Sequence, residues 1–320
     1  MSLDPKLQAF MEQAGLLKKP GSAPRRPEVI LAESRESAKN VSLTSESTSI
    51  PVGSVANFVI PGPVGDLPVR LYTPEGSGPF PMLVFFQKSW CSGILDTHDM
   101  MCRILCQGAG CLVMTVDYRL APEYPFPAAL EDCYAATSWM SVHATEFRGD
   151  PMRIAVGGES GGGNYAAAIA LMSRDRGGPA LVFQLLICPA ADFRVTTDSW
   201  KDYDGYIIPK EEFFIVRDFY VPKVEDRLHP YAAPSLAPDL HELPPALVIT
   251  AECDPMRDGG ELYGHRLLEA GVPATVTRYD GMIHGFMHLN SRVAQANQAL
   301  DEIIHALKTA FSYKENKPGS

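Results

Sequence analysis

The feature that most constrains this chain is a regular alternation of short apolar runs with helical segments. Residues 82–86, 111–116, 153–156, 181–187, 246–251 and 274–279 read as strands, and 97–108, 128–142, 162–173, 259–270 and 292–311 as helices. The strands carry little polar alternation, which means both of their faces are covered. Alternating strands and helices of this kind close into an α/β architecture: a mostly parallel, doubly wound sheet with helices on both faces. Such sheets present ligand sites at the carboxyl ends of their strands.

The remaining segments break this rhythm. Residues 3–14 show apolar spacing at Leu7, Phe10 and Met11, with Gly15 as a stop, and predict a short amphipathic helix. Residues 19–50 are rich in Pro, Ser and charge, with a helix expected near 27–39. Strands over 55–61 and 69–73 are joined by a Gly-Pro-Val-Gly-Asp turn. Residues 190–240 hold aromatic and charged residues and Pro without a clean strand, and read as an insertion over the sheet's carboxyl edge. The expected organisation is an N-terminal cap segment (1–50), a core (51–312) with a cap insertion at about 190–240, and a frayed tail (313–320).

Composition narrows the function. The 320 residues carry 28 Lys plus Arg against 38 Asp plus Glu, a net charge of −10. An acidic surface repels phosphate backbones and anionic membranes, so neither nucleic acid nor membrane is an expected partner. No apolar run approaches the roughly 20 residues of a membrane helix. A chain this long buries a large core without disulfides or metals. Its seven cysteines include no Cys-x-x-Cys pair. Cys102 and Cys106 could share a helix face but have no His at ligand spacing, so reduced, packed thiols in a cytoplasmic protein are expected. The start lacks a basic region followed by an apolar one, as a secretory signal would require.

The chemistry centres on Gly158-Glu159-Ser160-Gly161-Gly162, which follows a strand and opens a helix. That context marks a nucleophile elbow. Its sharp turn raises the Ser160 hydroxyl at a helix N-terminus, where the dipole favours developing negative charge. A serine nucleophile needs a base, and the base needs an orienting carboxylate. Asp254 ends the strand 246–251, and His284 follows the strand 274–279. Both leave parallel strands at the same edge as Ser160. Asp258 competes for the carboxylate role, but Asp254 comes sooner after its strand. The other histidines lie on predicted helices or far from the edge (98, 143, 241, 265, 305), or beside loops without a fitting partner (229, 288).

Taken together, these residues resemble the hormone-sensitive-lipase-like branch of the α/β-hydrolase esterases, from about residue 3 to about 311. The strongest block is Asp117-Tyr-Arg-Leu-Ala-Pro-Glu123, running on to Cys133. The elbow, Asp254-Pro-Met-Arg-Asp258 and His284-Gly-Phe286 follow in order. Glu159 stands where the family more often has Asp. The resemblance implies an α/β-hydrolase fold with a helical cap, a Ser160–His284–Asp254 triad, and hydrolysis of short acyl esters through an acyl-enzyme. It implies no metal and no organic cofactor. A lactonase, an amide or carbamate hydrolase, or a catalytically silent ligand-binding relative could carry the same motifs. A small-molecule ester is the expected partner, and the edge strand near 274–279 could pair with a second copy.

One block departs from the family. Where His-Gly-Gly-Gly normally supplies oxyanion-hole N–H groups, this chain reads Phe86-Gln87-Lys88-Ser89-Trp90, with the glycines missing and the loop shortened by one residue on strand alignment. The expected oxyanion donors are the Gly161 N–H together with the loop of Gln87, Lys88 and Ser89. Lys88 could instead meet an anionic substrate group, although a solvated surface lysine is the commoner fate, and Cys91 could be a reactive thiol beside the site, although a buried spectator is the commoner case. The aromatics Phe193, Trp200, Tyr203, Tyr206, Phe213 and Phe214 could line a pocket or pack the cap.

Overall fold

The computed structural model describes residues 3–13, 25–44 and 50–312. The tail at 313–320, Gly15 and parts of the 19–50 segment lie outside the described residues. Eight strands form one sheet in the order β1-β2-β4-β3-β5-β6-β7-β8. They are β1 (Ser54–Gly62), β2 (Gly65–Thr73), β3 (Phe80–Phe86), β4 (Leu112–Val116), β5 (Gly149–Glu159), β6 (Phe183–Ile187), β7 (Ala246–Cys253) and β8 (Ala274–Ile283). The first two pair antiparallel, and β2 meets β4 antiparallel. Every pairing from β4 through β8 is parallel. The mostly apolar strands β3, β4, β6 and β7 are buried along their full length.

Helices cover both faces. On one side lie α4 (Ala128–His143), α5 (Gly161–Asp175) and α8 (Arg257–Glu269), packed with Val84, Met114, Val156, Leu186 and Val248 of the sheet. On the other lie α3 (Asp99–Ala109) and α9 (Ala294–Ser312), packed with Leu83, Val113, Leu185 and Ile249. The alternation of sheet residues between the two cores is the period-two geometry of a strand. β8 runs further than its sequence pattern suggests. A bulge between Ala251 and Cys253 lets Cys253 pair with Ile283, carrying the strand through Asp280-Gly281.

Two covers lie over the carboxyl edge. Near the N-terminus, α1 (Pro5–Gln13) buries Leu7 and Met11, and the Asp4 N–H donates to the Gly281 carbonyl at 3.1 Å. The longer α2 (Pro27–Thr44) reaches the loop after β3, where Ser34 and Ser92 hydroxyls meet at 2.7 Å and the Arg35 Nε donates to the Cys91 carbonyl. Between β6 and β7 come α6 (Asp198–Tyr203) and α7 (Lys210–Tyr220). Among the described residues no helix is long and apolar enough to cross a membrane.

Candidate active site

The elbow exists because two glycines permit close approach. A Cβ on Gly162 would stand 1.8 Å from the Phe86 carbonyl oxygen, and one on Gly158 would stand 2.3 Å from the Gly162 oxygen. Helix α5 therefore starts directly against β3 and β5. Ser160 sits between them at φ 57°, ψ −118°, in a region that L side chains rarely occupy. Such strain costs about 1–3 kcal/mol and persists where surroundings over-determine it. Here the Ser160 N–H donates to the Ile187 carbonyl at 2.9 Å, and its own carbonyl accepts from Asn164 and Ala190. The Asn164 side chain ties the same turn to the Ala190 and Ala232 carbonyls, both at 2.9 Å.

Sheet topology brings the partners to this point. The Ser160 hydroxyl lies 2.9 Å from His284 Nε2, and His284 Nδ1 lies 2.7 Å from Asp254 Oδ2. Asp254 is fully buried, and its second oxygen accepts the Met256 N–H at 2.8 Å. Burial opposes charging of His284, but the Asp254 carboxylate outweighs it through charge and hydrogen bond. Glu159 adds to that effect, so the pKa of His284 is raised above the ordinary histidine value. Asp258 stands elsewhere: it accepts the Ser199 N–H at 2.8 Å and pairs with Arg257.

The loop after β3 is built differently from expectation. Gln87 and Lys88 are buried, with their side chains turned into the protein. The Gln87 amide donates to the Val116 carbonyl. The Lys88 ammonium donates to Asp117 at 2.8 Å and to the Tyr118 carbonyl at 2.5 Å, and lies 4.5 Å from the centre of the Tyr118 ring. Lys88 is thus neither a solvated surface lysine nor a free cation for a substrate anion. Nor are two of the loop's backbone donors free: the Lys88 N–H goes to the Tyr118 hydroxyl and the Ser89 N–H to the Ser92 carbonyl, both at 2.9 Å. The next residue differs. Among the described residues the Trp90 N–H makes no hydrogen bond, and its nitrogen stands 3.1 Å from where a Gly161 Cβ would be.

Trp90 is held in place by rings from the insertion. It stacks on Tyr220 at 5.0 Å and meets Phe193 at 5.3 Å and Phe213 at 6.0 Å. Phe193, Trp200 and Phe213 are buried in this cluster, while Tyr203 and Tyr206 are only partly covered. Cys91 is buried too, and burial pushes its thiol up to about 12, as suits a packed spectator rather than a reactive thiol. All seven cysteines are free and buried. A surface cavity of about 510 Å³ lies between α2, Pro122 and Phe219, lined by Leu31, Arg35 and Lys39; no triad residue borders it.

Sequence reading passed over three residues. His98 and His288 have no local partner, and Glu159 reads only as a family variant. The structure joins all three: His98 Nε2 and His288 Nε2 lie 2.7 Å and 2.8 Å from the same Glu159 oxygen. No sequence signal could have linked residues this far apart on three separate elements.

A strand-turn-helix serine facing a His paired with a buried Asp at the carboxyl edge of a parallel sheet is the arrangement of an α/β-hydrolase. Residues 85–288 match the alpha/beta hydrolase fold family, and the chain belongs to it. It is 40% identical over 266 residues to the carboxylic ester hydrolase LipN of Mycobacterium tuberculosis, covering 81% of this chain and 71% of that one. It is 37% identical over 243 residues to an arylesterase of Saccharolobus solfataricus, covering 74% and 78%. Among solved structures, a hyperthermophilic esterase from Pyrobaculum calidifontis superposes with a TM-score of 0.90 at 37% identity, over 97% of this chain and 99% of that one.

Proposed function

We propose that this protein is a serine carboxylesterase of the hormone-sensitive-lipase-like branch, acting on short acyl esters through an acyl-enzyme. The observation that carries the reading is the continuous Ser160–His284–Asp254 hydrogen-bonded chain on a strained elbow. Esterase relatives at 37–40% identity support esters over amides as substrate.

In this mechanism the Ser160 oxygen attacks the acyl carbon while its proton passes to His284 Nε2. Asp254 holds the Nδ1 proton and stabilises the imidazolium. The imidazolium then protonates the leaving alcohol as the carbon–oxygen bond breaks. Water, deprotonated by the same nitrogen, releases the acid and restores the serine. In this reading the oxyanion is received by the N–H groups of Gly161 and Trp90, whose backbones lie against each other. Trp90 is the loop residue assigned to this role, since Lys88 and Ser89 spend their N–H groups internally and the Gln87 side chain is turned to Val116. The ring cluster around Trp90 replaces the freedom that glycines would give with a fixed conformation.

The test is labelling with a fluorophosphonate probe and turnover of p-nitrophenyl esters from acetate to decanoate, beside Ser160→Ala. Expected are stoichiometric labelling of the parent only, and kcat/KM that is highest for short acyl chains. No labelling and no turnover above the variant would refute the reading, and would leave a silent ligand-binding relative.

A further inference from the structure

Behind the nucleophile lies a second cluster for which the ester mechanism has no step. Glu159 ends β5 and is buried. His98, at the end of a 3-10 turn, is buried against it, and His288, in a 3-10 turn after His284, is part-exposed. The two imidazole Nε2 atoms and the Glu159 oxygen all lie within 4.8 Å of one another. The rings stand edge to face, 4.7 Å apart, and both Nε2 atoms meet the same Glu159 oxygen. Hydrogen bonding leaves the set incomplete: Glu159 Oε1 and His98 Nδ1 are buried with no partner among the described residues.

We propose that His98, Glu159 and His288 form a binding site for one divalent transition ion of the zinc class. Two imidazoles and one carboxylate, with a fourth position open, is a donor set zinc accepts in tetrahedral geometry. Soft thiolate ions are not favoured, because no cysteine belongs to this set. In a tetrahedral site with bonds of about 2.0–2.1 Å, donor atoms sit roughly 3.3 Å apart. The present 2.7 and 2.8 Å separations therefore need to open by about half an ångström, as protons between the groups give way to the ion. Each Nε2 must present its lone pair: a neutral ring does so by moving its proton to Nδ1, and a charged ring by releasing one proton to solvent. Entry and the fourth position lie on the part-exposed His288 side. The buried carboxylate supplies the negative charge that an ion needs in a water-poor setting.

The site does not depend on the esterase reading. One consequence does: an ion on Glu159 would oppose the charge on the His284 imidazolium, so zinc would inhibit turnover reversibly. That consequence is not the test, because ion binding is measurable whether or not the chain hydrolyses esters.

The test titrates zinc chloride into the full chain, freed of metals with EDTA and dialysed, by calorimetry and by thermal melting. His98→Gln and His288→Gln are compared with His229→Gln, whose residue lies outside the cluster. Expected is one equivalent bound by the parent and by His229→Gln, with a melting temperature that rises with zinc. Each cluster variant should lose more than about 100-fold in affinity, since even an outer-shell partner of a zinc ligand is worth 10–100-fold. Melting without zinc checks that the variants fold. Cobalt(II) loaded into the parent gives a second readout that needs no variant. A spectrum without thiolate charge transfer supports the nitrogen–oxygen set. A thiolate band would put the ion at Cys188, Asp254 and His284 and overturn the proposal. So would unchanged affinity in both cluster variants, or no binding below about 1 mM, which would make the cluster a hydrogen-bond network alone.

Discussion

Replacing Gly162 by Ala tests whether the elbow depends on contact between α5 and β3. The added Cβ would sit 1.8 Å from the Phe86 carbonyl oxygen and 2.8 Å from its carbon. Real Cβ contacts essentially never fall below 3.0 Å, so helix and strand must part by about 1.2 Å. Neither side is a flexible side-chain tip; both are backbone inside the core, with Phe86 fully buried. Overpacking costs about 1–3 kcal/mol where side chains can yield, and more where they cannot. The expected loss is therefore at least ~3 kcal/mol. At about 2 °C per kcal/mol for a large domain, the melting temperature should fall by about 6 °C or more. Fluorophosphonate labelling of Ser160 should fall with it, because the same shift moves the hydroxyl. The control is Gly259→Ala, in α8, where the nearest atom would lie 3.5 Å away. There the same substitution should stabilise by roughly 0.5–1 kcal/mol, since Ala is the better helix former. Thermal melting of both variants decides. A Gly162→Ala protein that melts with its parent and labels fully would refute the packing argument for the elbow.

Three further outcomes follow from the same geometry. Asp254→Asn should lower kcat by about 10⁴-fold with the protein still folded, because the amide cannot stabilise the imidazolium or hold its tautomer; a loss under tenfold would remove Asp254 from the mechanism. Activity needs neutral His284, so kcat/KM should fall as the pH drops through its raised pKa. Glu159 contributes negative charge to that rise, so Glu159→Gln should move the acid limb to lower pH; a limb that stays or moves upward contradicts this. Cys91, pushed up to about 12, should hold roughly 10⁻⁴ of its thiol as thiolate at pH 8 and resist iodoacetamide in the folded protein. Stoichiometric alkylation within minutes would show that the thiol is not sealed.

Periodicity alone was enough to place the parallel strands and the helices between them, because a strand covered on both faces is apolar along most of its length. The elbow, Asp254 and His284 were legible for a related reason: each follows a strand, and parallel strands deliver their carboxyl ends to one edge. The bulge that extends β8 through Asp280-Gly281 was not, because residues typical of a turn stay paired when a neighbouring strand shifts register.

What the sequence by itself determined about this protein is the sheet, the edge where chemistry gathers and the order of the three residues that meet there. Chain connectivity fixes these, since a parallel sheet leaves few ways to arrange alternating strands and helices. Only the tertiary structure decided what the residues around them do. Lys88 reads as an exposed positive charge beside the site, yet Asp117 and Tyr118 draw it inward. Glu159, His98 and His288 read as a variant and two loop histidines, yet they converge on one point. Such contacts join elements far apart in the chain, and a side chain's partner is set by where the backbone places it rather than by its neighbours in sequence.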